Sequence, residues 1–274
     1  MRPSTEEKRQ RFRELHRQGC FVIPNPWDTG SAMALQSLGF QALASTSSGM
    51  AWSLGRPDNG VELERVLAHL ENVVKAVDLP VNADFEGGFA VSPEGVAANV
   101  ARAIETGVAG LSIEDSTGDS EAPLYDFELA VERVAAARAA IDAAGGEVLL
   151  TARSEGFFIG RPDLEETVRR LQAFAEAGAD CLYAPGIRSE QEISSVVQAV
   201  APKPVNVLTL GHSLDQLAEL GVRRISVGGA LARVAWGAFL RAAEEIAREG
   251  RFEQLAQGAK GAELNALFRP SNSD

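Results

Sequence analysis

Eight short apolar runs recur along the chain, and between them lie longer segments whose apolar residues return every three or four positions. The runs cover residues 21–27, 42–47, 80–85, 110–115, 148–154, 181–186, 204–209 and 224–229. Short, near-continuously apolar runs of this kind predict buried parallel strands. The segments at 61–77, 92–106, 126–143, 161–177 and 189–200 predict amphipathic helices. In the first, Leu63, Val66, Leu67, Leu70, Val73 and Val74 share one face. Gly107, Gly178 and Gly221 stand where helical patterns stop, the position of a left-handed C-cap. Strand-then-helix units in this number predict a (β/α)8 TIM-type barrel, with residues 1–274 as a single domain. An open doubly wound sheet is the competing topology, but no GxGxxG phosphate loop follows the first run. Further helices are expected at 231–249 and 252–267, within a C-terminal extension over 231–274 that exceeds what one closing helix needs. That extension packs either on a partner subunit or on its own barrel.

Composition narrows the function classes. With 274 residues and 45% hydrophobic content the chain can bury a large core. A net charge of −12 disfavours nucleic acid, whose backbone demands a basic face. It leaves anionic small molecules open, because an arginine or a metal can reverse the sign inside a pocket. No apolar stretch is long enough to span a membrane and the N-terminus has no apolar leader, so a cytoplasmic protein is the expectation. Cys20 and Cys181 abut apolar runs without a CxxC pattern and read as core residues. His16 and His69 sit in charged helical surroundings that suggest no role.

In a TIM-type barrel the chemistry gathers at the C-terminal ends of the strands. The second run ends Ser45-Thr46-Ser47-Ser48-Gly49, either an anion-holding turn or an ordinary Ser/Thr turn. Asp58, in the following loop, is either a turn residue or a water-mediated metal contact. The third run ends Asn82-Ala83-Asp84-Phe85-Glu86, and strand alternation puts Asn82 and Asp84 on one face, with Glu86 joining them if the strand continues. The fourth ends Glu114-Asp115, beside the third if sequence neighbours are barrel neighbours. Carboxylates gathered this closely favour a hard divalent cation, Mg²⁺ or Mn²⁺, between them. Arg153, after the fifth run, is either a clamp for a substrate carboxylate or enolate oxygen, or a structural ion pair with one of the acids. Tyr183 and Asn206 end the sixth and seventh runs as cavity-lining or core residues, and His212 follows in a loop.

Taken in order, "NPWD", "SSG", "LGRPD", "NADFEGGF", "IED" and "TARSE" resemble the isocitrate lyase/phosphoenolpyruvate mutase superfamily, over about residues 21–233. The resemblance implies a (β/α)8 barrel that exchanges a C-terminal helix between subunits of a homo-oligomer, dimer or tetramer, and binds Mg²⁺ with a 2-oxo acid. It implies metal-site roles for Asp58, Asp84 and Glu114, with Asn82 standing where relatives commonly have an acid and Glu86 available to compensate. It implies a carboxylate-holding role for Ser47, Ser48 and Gly49, an oxyanion role for Arg153, and a polar substrate contact at Asn206. Isocitrate and methylisocitrate lyases carry a Lys/Cys/Gly/His loop after the fourth strand, whereas residues 116–124 here hold no Cys, Lys or His. The phosphonomutase Lys/Asn loop is absent too. The resemblance therefore implies a carbon–carbon lyase of the decarboxylase type, acting on a small 2-oxo or 2-hydroxy dicarboxylate through a metal-stabilised enolate, with oxaloacetate the leading substrate. A phosphonopyruvate or phosphoenolpyruvate enzyme and a non-catalytic 2-oxo acid binder are the alternatives. Tyr183, Glu121, His212 or water would return the proton.

Overall fold

The computed structural model describes residues 2–209 and 211–269. Eight parallel strands form one curled sheet: β1 (Phe21–Val22), β2 (Leu43–Ala44), β3 (Val81–Asp84), β4 (Gly110–Glu114), β5 (Leu149–Arg153), β6 (Cys181–Tyr183), β7 (Val205–Leu208) and β8 (Arg224–Ser226). Each strand from β2 to β7 pairs with its successor, and β8 returns to β1. Two hydrogen bonds bridge the remaining seam: Ala44 N–H donates to Pro24 O at 3.1 Å, and Asn25 Nδ2 donates to Ser45 O at 3.1 Å. This sequential order is that of a TIM-type barrel and rules out the doubly wound sheet. The paired strands are shorter than the apolar runs, because the last residues of each run leave the ladder and turn into the loops above.

The helices are α1 (Thr5–Leu15), α2 (Thr29–Ser37), α3 (Ser47–Ser53), α4 (Leu63–Ala76), α5 (Pro93–Glu105), α6 (Phe127–Ala143), α7 (Leu164–Glu176), α8 (Glu190–Val200), α9 (Leu214–Glu219), α10 (Ala230–Glu249) and α11 (Gly261–Leu267). Local chemistry explains their ends. Ser92 caps α5 by accepting from Gly95 N–H, with Pro93 in the first turn, where its missing donor costs nothing. Ser189 and Glu192 form a reciprocal capping box on α8. Gly107, Gly178 and Gly221 follow α5, α7 and α9 with positive φ. In place of a continuous helix over 252–267 there is a 3-10 turn, Glu253–Gln257, and the short α11.

Strand alternation divides the interior in two. Outward-facing residues such as Val81, Ala83, Leu111, Ile113, Leu150, Ala152, Leu182, Val205, Val207 and Ile225 pack against the helices. Inward-facing Phe21, Ile23, Ala42, Ala44 and Leu149 form a second, smaller apolar cluster at the barrel floor. Phe12 of α1 completes that cluster and is fully buried, which stabilises the fold by about 2–3 kcal/mol on transfer grounds. Gly110 makes room for it, since a Cβ there would lie 2.6 Å from the Phe12 ring.

The sequence pattern did not reveal α1, because its residues are mostly charged. Those charges cap other elements. Lys8 Nζ donates to Val74 O and Val77 O at the end of α4, and Arg9 donates to Ile104 O and Val108 O beyond α5. Basic groups at helix C-termini satisfy orphan carbonyls and oppose the helix dipole. Cys20 and Cys181 are free thiols, half-buried and buried respectively.

His16, the C-cap of α1, lies between Phe12 and Phe21, with Nδ1 2.8 Å from Phe12 O and Nε2 3.3 Å from Arg224. Burial and the Arg224 charge push its imidazole down to about 3. The unfolded imidazole takes a proton below about 6.5 and the folded one does not until about 3, so His16 costs stability as pH falls through that window. Urea unfolding of wild type and His16→Gln at pH 7 and pH 4.5 should show wild type losing about 2 kcal/mol more than the variant on acidification. Equal losses would mean that His16 titrates normally in the fold.

Candidate active site

A cavity of about 760 Å³ opens at the C-terminal ends of the strands and runs down the barrel axis. Its upper wall carries an arginine bracketed by acids. Arg153, at the end of β5, donates from Nη1 to Asp84 of β3 at 2.7 Å and from Nε to Glu155 at 2.8 Å, and its Nη1 forms an ion pair with Glu114 of β4 at 3.1 Å. Parallel register brings them together: Glu114 pairs with Arg153 across β4–β5, and Asp84 with Ser112 across β3–β4. The Tyr183 ring lies 5.3 Å from the guanidinium carbon.

The ion-pair reading of Arg153 holds in the structure, and the same side chain lines the cavity. Burial alone would lower its affinity for a proton, but Glu155, Glu114 and Asp84 together hold it well above its ordinary value. The acids share one cation between them. Burial raises Glu114 well above the carboxylate range, with Arg153 opposing and Glu155, Asp84 and Glu86 adding repulsion. Glu155 is pushed up to about 7 by burial, against the pull of Arg153. Glu86 reaches about 8 through burial and repulsion from Asp84 and Asp58, and Asp58 is raised by burial and by Asp84.

Asp58 reaches the site through Ser47, whose hydroxyl donates to Asp58 Oδ1 at 3.2 Å, while Ser47 N–H donates to Asp84 Oδ2 at 2.9 Å. The "SSG" stretch is not a loop turn but the first turn of α3, capped by Thr46. Ser47 and Ser48 line the cavity. Gly49 does not: its N–H is taken by Thr46 Oγ1, and a Cβ there would lie 2.8 Å from both Thr46 and Trp27. Gly49 is thus a close-packing residue, and of the three backbone donors only that of Ser48 lacks a partner among the described residues.

Other placements also depart from the sequence reading. The strand stops at Asp84, and Glu86 turns away with φ +47, lining a small separate cavity behind Asp84 together with His69. Asn82 lies one layer deeper than Asp84, on the wall of the main cavity, with its Oδ1 buried and unpartnered. Glu114 contacts Arg153 but does not itself line the cavity, and Glu121 is exposed away from it. No three Asp, Glu, His or Cys groups among the described residues close around one point. Tyr183, Asn206 and half-buried His212 all line the cavity. Burial pushes the Tyr183 phenol up to about 12.

The structure adds supporting roles that strand-end reasoning did not assign. Glu155 holds Arg153 from the far side, and Asp115, which accepts from Glu155 N–H and Arg170, fixes Glu155 in turn. Arg133, fully buried on α6, donates to Gly87 O, Ala90 O and Val91 O, stacks on Tyr125, and so pins the loop that carries Glu86. Glu155 stood in "TARSE" and Asp115 in "IED", where it read as a member of the acidic cluster rather than as the support of Glu155. Arg133 and Arg170 lie in helical patterns that read as solvated faces.

Oxygen donors only, with more carboxylates than cations, suit a hard cation such as Mg²⁺. The lack of a closed three-ligand cluster is compatible with Mg²⁺, which keeps much of its water and takes one or two carboxylates plus substrate oxygens.

Comparison with known proteins gives a consistent result. The family model described as phosphoenolpyruvate phosphomutase matches residues 12–247. A crystal structure of a Burkholderia cenocepacia protein, whose assignment as a lyase/mutase is itself provisional, superposes with a TM-score of 0.93 at 47% identity, covering 97% of each chain. The oxaloacetate decarboxylase of Paraburkholderia xenovorans is 28% identical over 240 residues, 83% of this chain and 77% of that protein. A phosphonopyruvate hydrolase solved with oxalate and Mg²⁺ shares the fold, with a TM-score of 0.84 at 24% identity over 95% of this chain and 94% of that one.

Removing Arg153 would leave three carboxylates buried around a gap. Arg153→Met should lose about 3–5 kcal/mol at pH 8 by urea unfolding, and Tyr183→Phe under about 1 kcal/mol. A loss below about 1 kcal/mol for Arg153→Met would show that the acids do not depend on its charge.

Proposed function

The chain belongs to the phosphoenolpyruvate phosphomutase family, within the isocitrate lyase/phosphoenolpyruvate mutase superfamily, and from that premise we propose a Mg²⁺-dependent carbon–carbon lyase that acts on a small 2-oxo or 2-hydroxy dicarboxylate, with oxaloacetate decarboxylation as the leading reaction. The observation that carries the reading is the guanidinium of Arg153, held by Asp84, Glu114 and Glu155 on the wall of the cavity at the strand ends. Asp84 is our choice of direct metal ligand, with Asp58, Glu86 and Glu114 acting through water. When bound, the metal would supply Lewis-acid polarisation of the 2-oxo acid oxygens.

The protein's own groups have separable tasks. Ser48 offers its hydroxyl and its free N–H to the substrate carboxylate beside the keto group, while Ser47 spends its donors on Asp58 and Asp84 and holds the two acids in place. Arg153 presents fixed donors where negative charge builds on the keto oxygen as the adjacent C–C bond breaks. In decarboxylation the bond electrons pass into the enolate, CO₂ departs, and no base is required. A proton must then return to carbon. Tyr183, protonated at neutral pH and close to Arg153, is the donor we favour. His212, at the mouth, is the second choice. The loop after β4 offers no thiol for this step, which supports decarboxylation over the isocitrate-type reaction.

Assembly follows from exposed apolar surface. Val234, Phe239 and Leu240 on α10, with Phe252 and Leu255 beyond it, stay open to solvent in a single chain. Such a patch marks a protein–protein contact, and a second copy of this chain is the proposed partner. Light scattering should give a multiple of the 29.1 kDa chain mass, and Phe239→Glu should reduce it; a monomeric wild type would sink this assignment.

The activity is tested by incubating the protein with oxaloacetate, 2-hydroxy diacids and phosphonopyruvate, with and without Mg²⁺, followed by proton and phosphorus NMR. Consumption of oxaloacetate to pyruvate only with Mg²⁺ is expected. Asp84→Asn should abolish both turnover and the Mg²⁺-dependent rise in Tm with oxalate. Phosphonopyruvate consumption alone would move the chain to phosphorus chemistry. Tight binding without consumption would make it a binder.

A further inference from the structure

The cavity does not end at the acid layer. Below it, still on the cavity wall, lies Arg224, the first residue of β8, only 4% exposed. Its Nε donates to Asn206 Oδ1 at 2.9 Å and its Nη2 to Thr151 Oγ1 at 3.0 Å, while Nη1 lies 3.3 Å from His16 Nε2. All three partners are neutral, and none of the ion pairs among the described residues includes Arg224; the acids Asp84, Glu114 and Glu155 are committed to Arg153. A guanidinium carries five N–H donors, and these contacts leave two of them free. Buried charges are ordinarily paired, because desolvating an unpaired one costs several kcal/mol. Thr151 and Arg153 sit two residues apart on β5, so the two arginine layers are about 6.6 Å apart along the strand, a span that a short carbon chain bridges. Around the lower layer the cavity wall is polar, with Asn82, Ser112, Asn206 and Ser226 where TIM-type barrels usually place branched aliphatic side chains. The other cavity-lining cations, Arg188 and Arg233, lie at the solvated mouth.

We propose that Arg224 forms a second anion subsite at the barrel floor, which receives the far carboxylate of a diacid whose 2-oxo or 2-hydroxy end is held at Arg153. Asn206 and Thr151 aim the guanidinium, His16 supports it from below as a neutral acceptor, and the ligand supplies the counter-charge. The preference for a dicarboxylate over a monocarboxylate then resides on β8, away from the metal-site acids. This rests on the functional reading above only for the orientation of the ligand.

The test is calorimetric titration, in Mg²⁺, of wild type, Arg224→Met and Arg224→Lys with oxalate, lactate and malate. Lactate and malate differ by the second carboxylate, and oxalate probes the upper site alone. Wild type should bind malate at least about tenfold more tightly than lactate, the size of one charge-assisted contact. Arg224→Met should lose that preference with oxalate affinity unchanged, and Arg224→Lys should retain part of it, which also serves if the methionine variant fails to fold. A malate preference that survives in folded Arg224→Met, or is absent in wild type that binds oxalate, overturns the proposal. So does an equal loss of oxalate and malate binding, which would make Arg224 a brace for Asn206. If wild type does not bind oxalate in Mg²⁺, the functional reading fails instead.

Discussion

One guanidinium among too many carboxylates sets the character of this molecule. Arg153 touches Asp84, Glu114 and Glu155, and Asp58 and Glu86 lie close enough for the acids to repel one another. One cation cannot satisfy this group in a partly dry interior, which is why burial and mutual repulsion push Glu86 to about 8 and Glu155 to about 7. A fold optimised only for stability would not keep such a cluster. The surrounding structure holds it in place: Asp115 and Arg170 lock Glu155, Arg133 pins the loop after β3, and Ser47 ties Asp84 to Asp58. The excess of negative charge is what a divalent cation would relieve.

The barrel explains how this is tolerated. Outward-facing strand residues and the helices make the large apolar core, so the interior is free to be polar. Stability at the floor comes from a small cluster sealed by Phe12 of α1. Between floor and mouth, Asn82, Ser112, Thr151, Asn206, Arg224 and Ser226 give a polar, hydrogen-bonded shaft, while the acids and Arg153 occupy the rim. Polar groups are thus layered along the strands, with one strand, β5, contributing Thr151 to the lower level and Arg153 to the upper.

Much of this was legible in the sequence, for identifiable reasons. The strands announced themselves because both faces of a parallel barrel strand are buried. Asp84, Glu114 and Arg153 were found because polar residues at the ends of such runs are conspicuous. The placement of Glu86 was not legible, because alternation holds only while the strand lasts and the strand ends at Asp84. Gly49 was misjudged because a Ser-Ser-Gly string reads as a turn, whereas Thr46 caps it into a helix whose glycine is needed for close packing. Arg224 and His16 were invisible as a pair. They are 208 positions apart, and each looks locally like an ordinary polar residue beside an apolar run. The charged segment that became α1 was passed over for the same reason: its partners are carbonyls far along the chain.

The central claim is that the Arg153 acid layer is a joint cation and oxyanion site. A crystal structure grown with Mg²⁺ and oxalate tests it most directly. The account predicts one cation within coordination distance of the Asp84 carboxylate and an oxalate oxygen on the Arg153 guanidinium. Oxalate seated at the mouth, with the Arg153 ion pairs intact and no cation at Asp84, would contradict it.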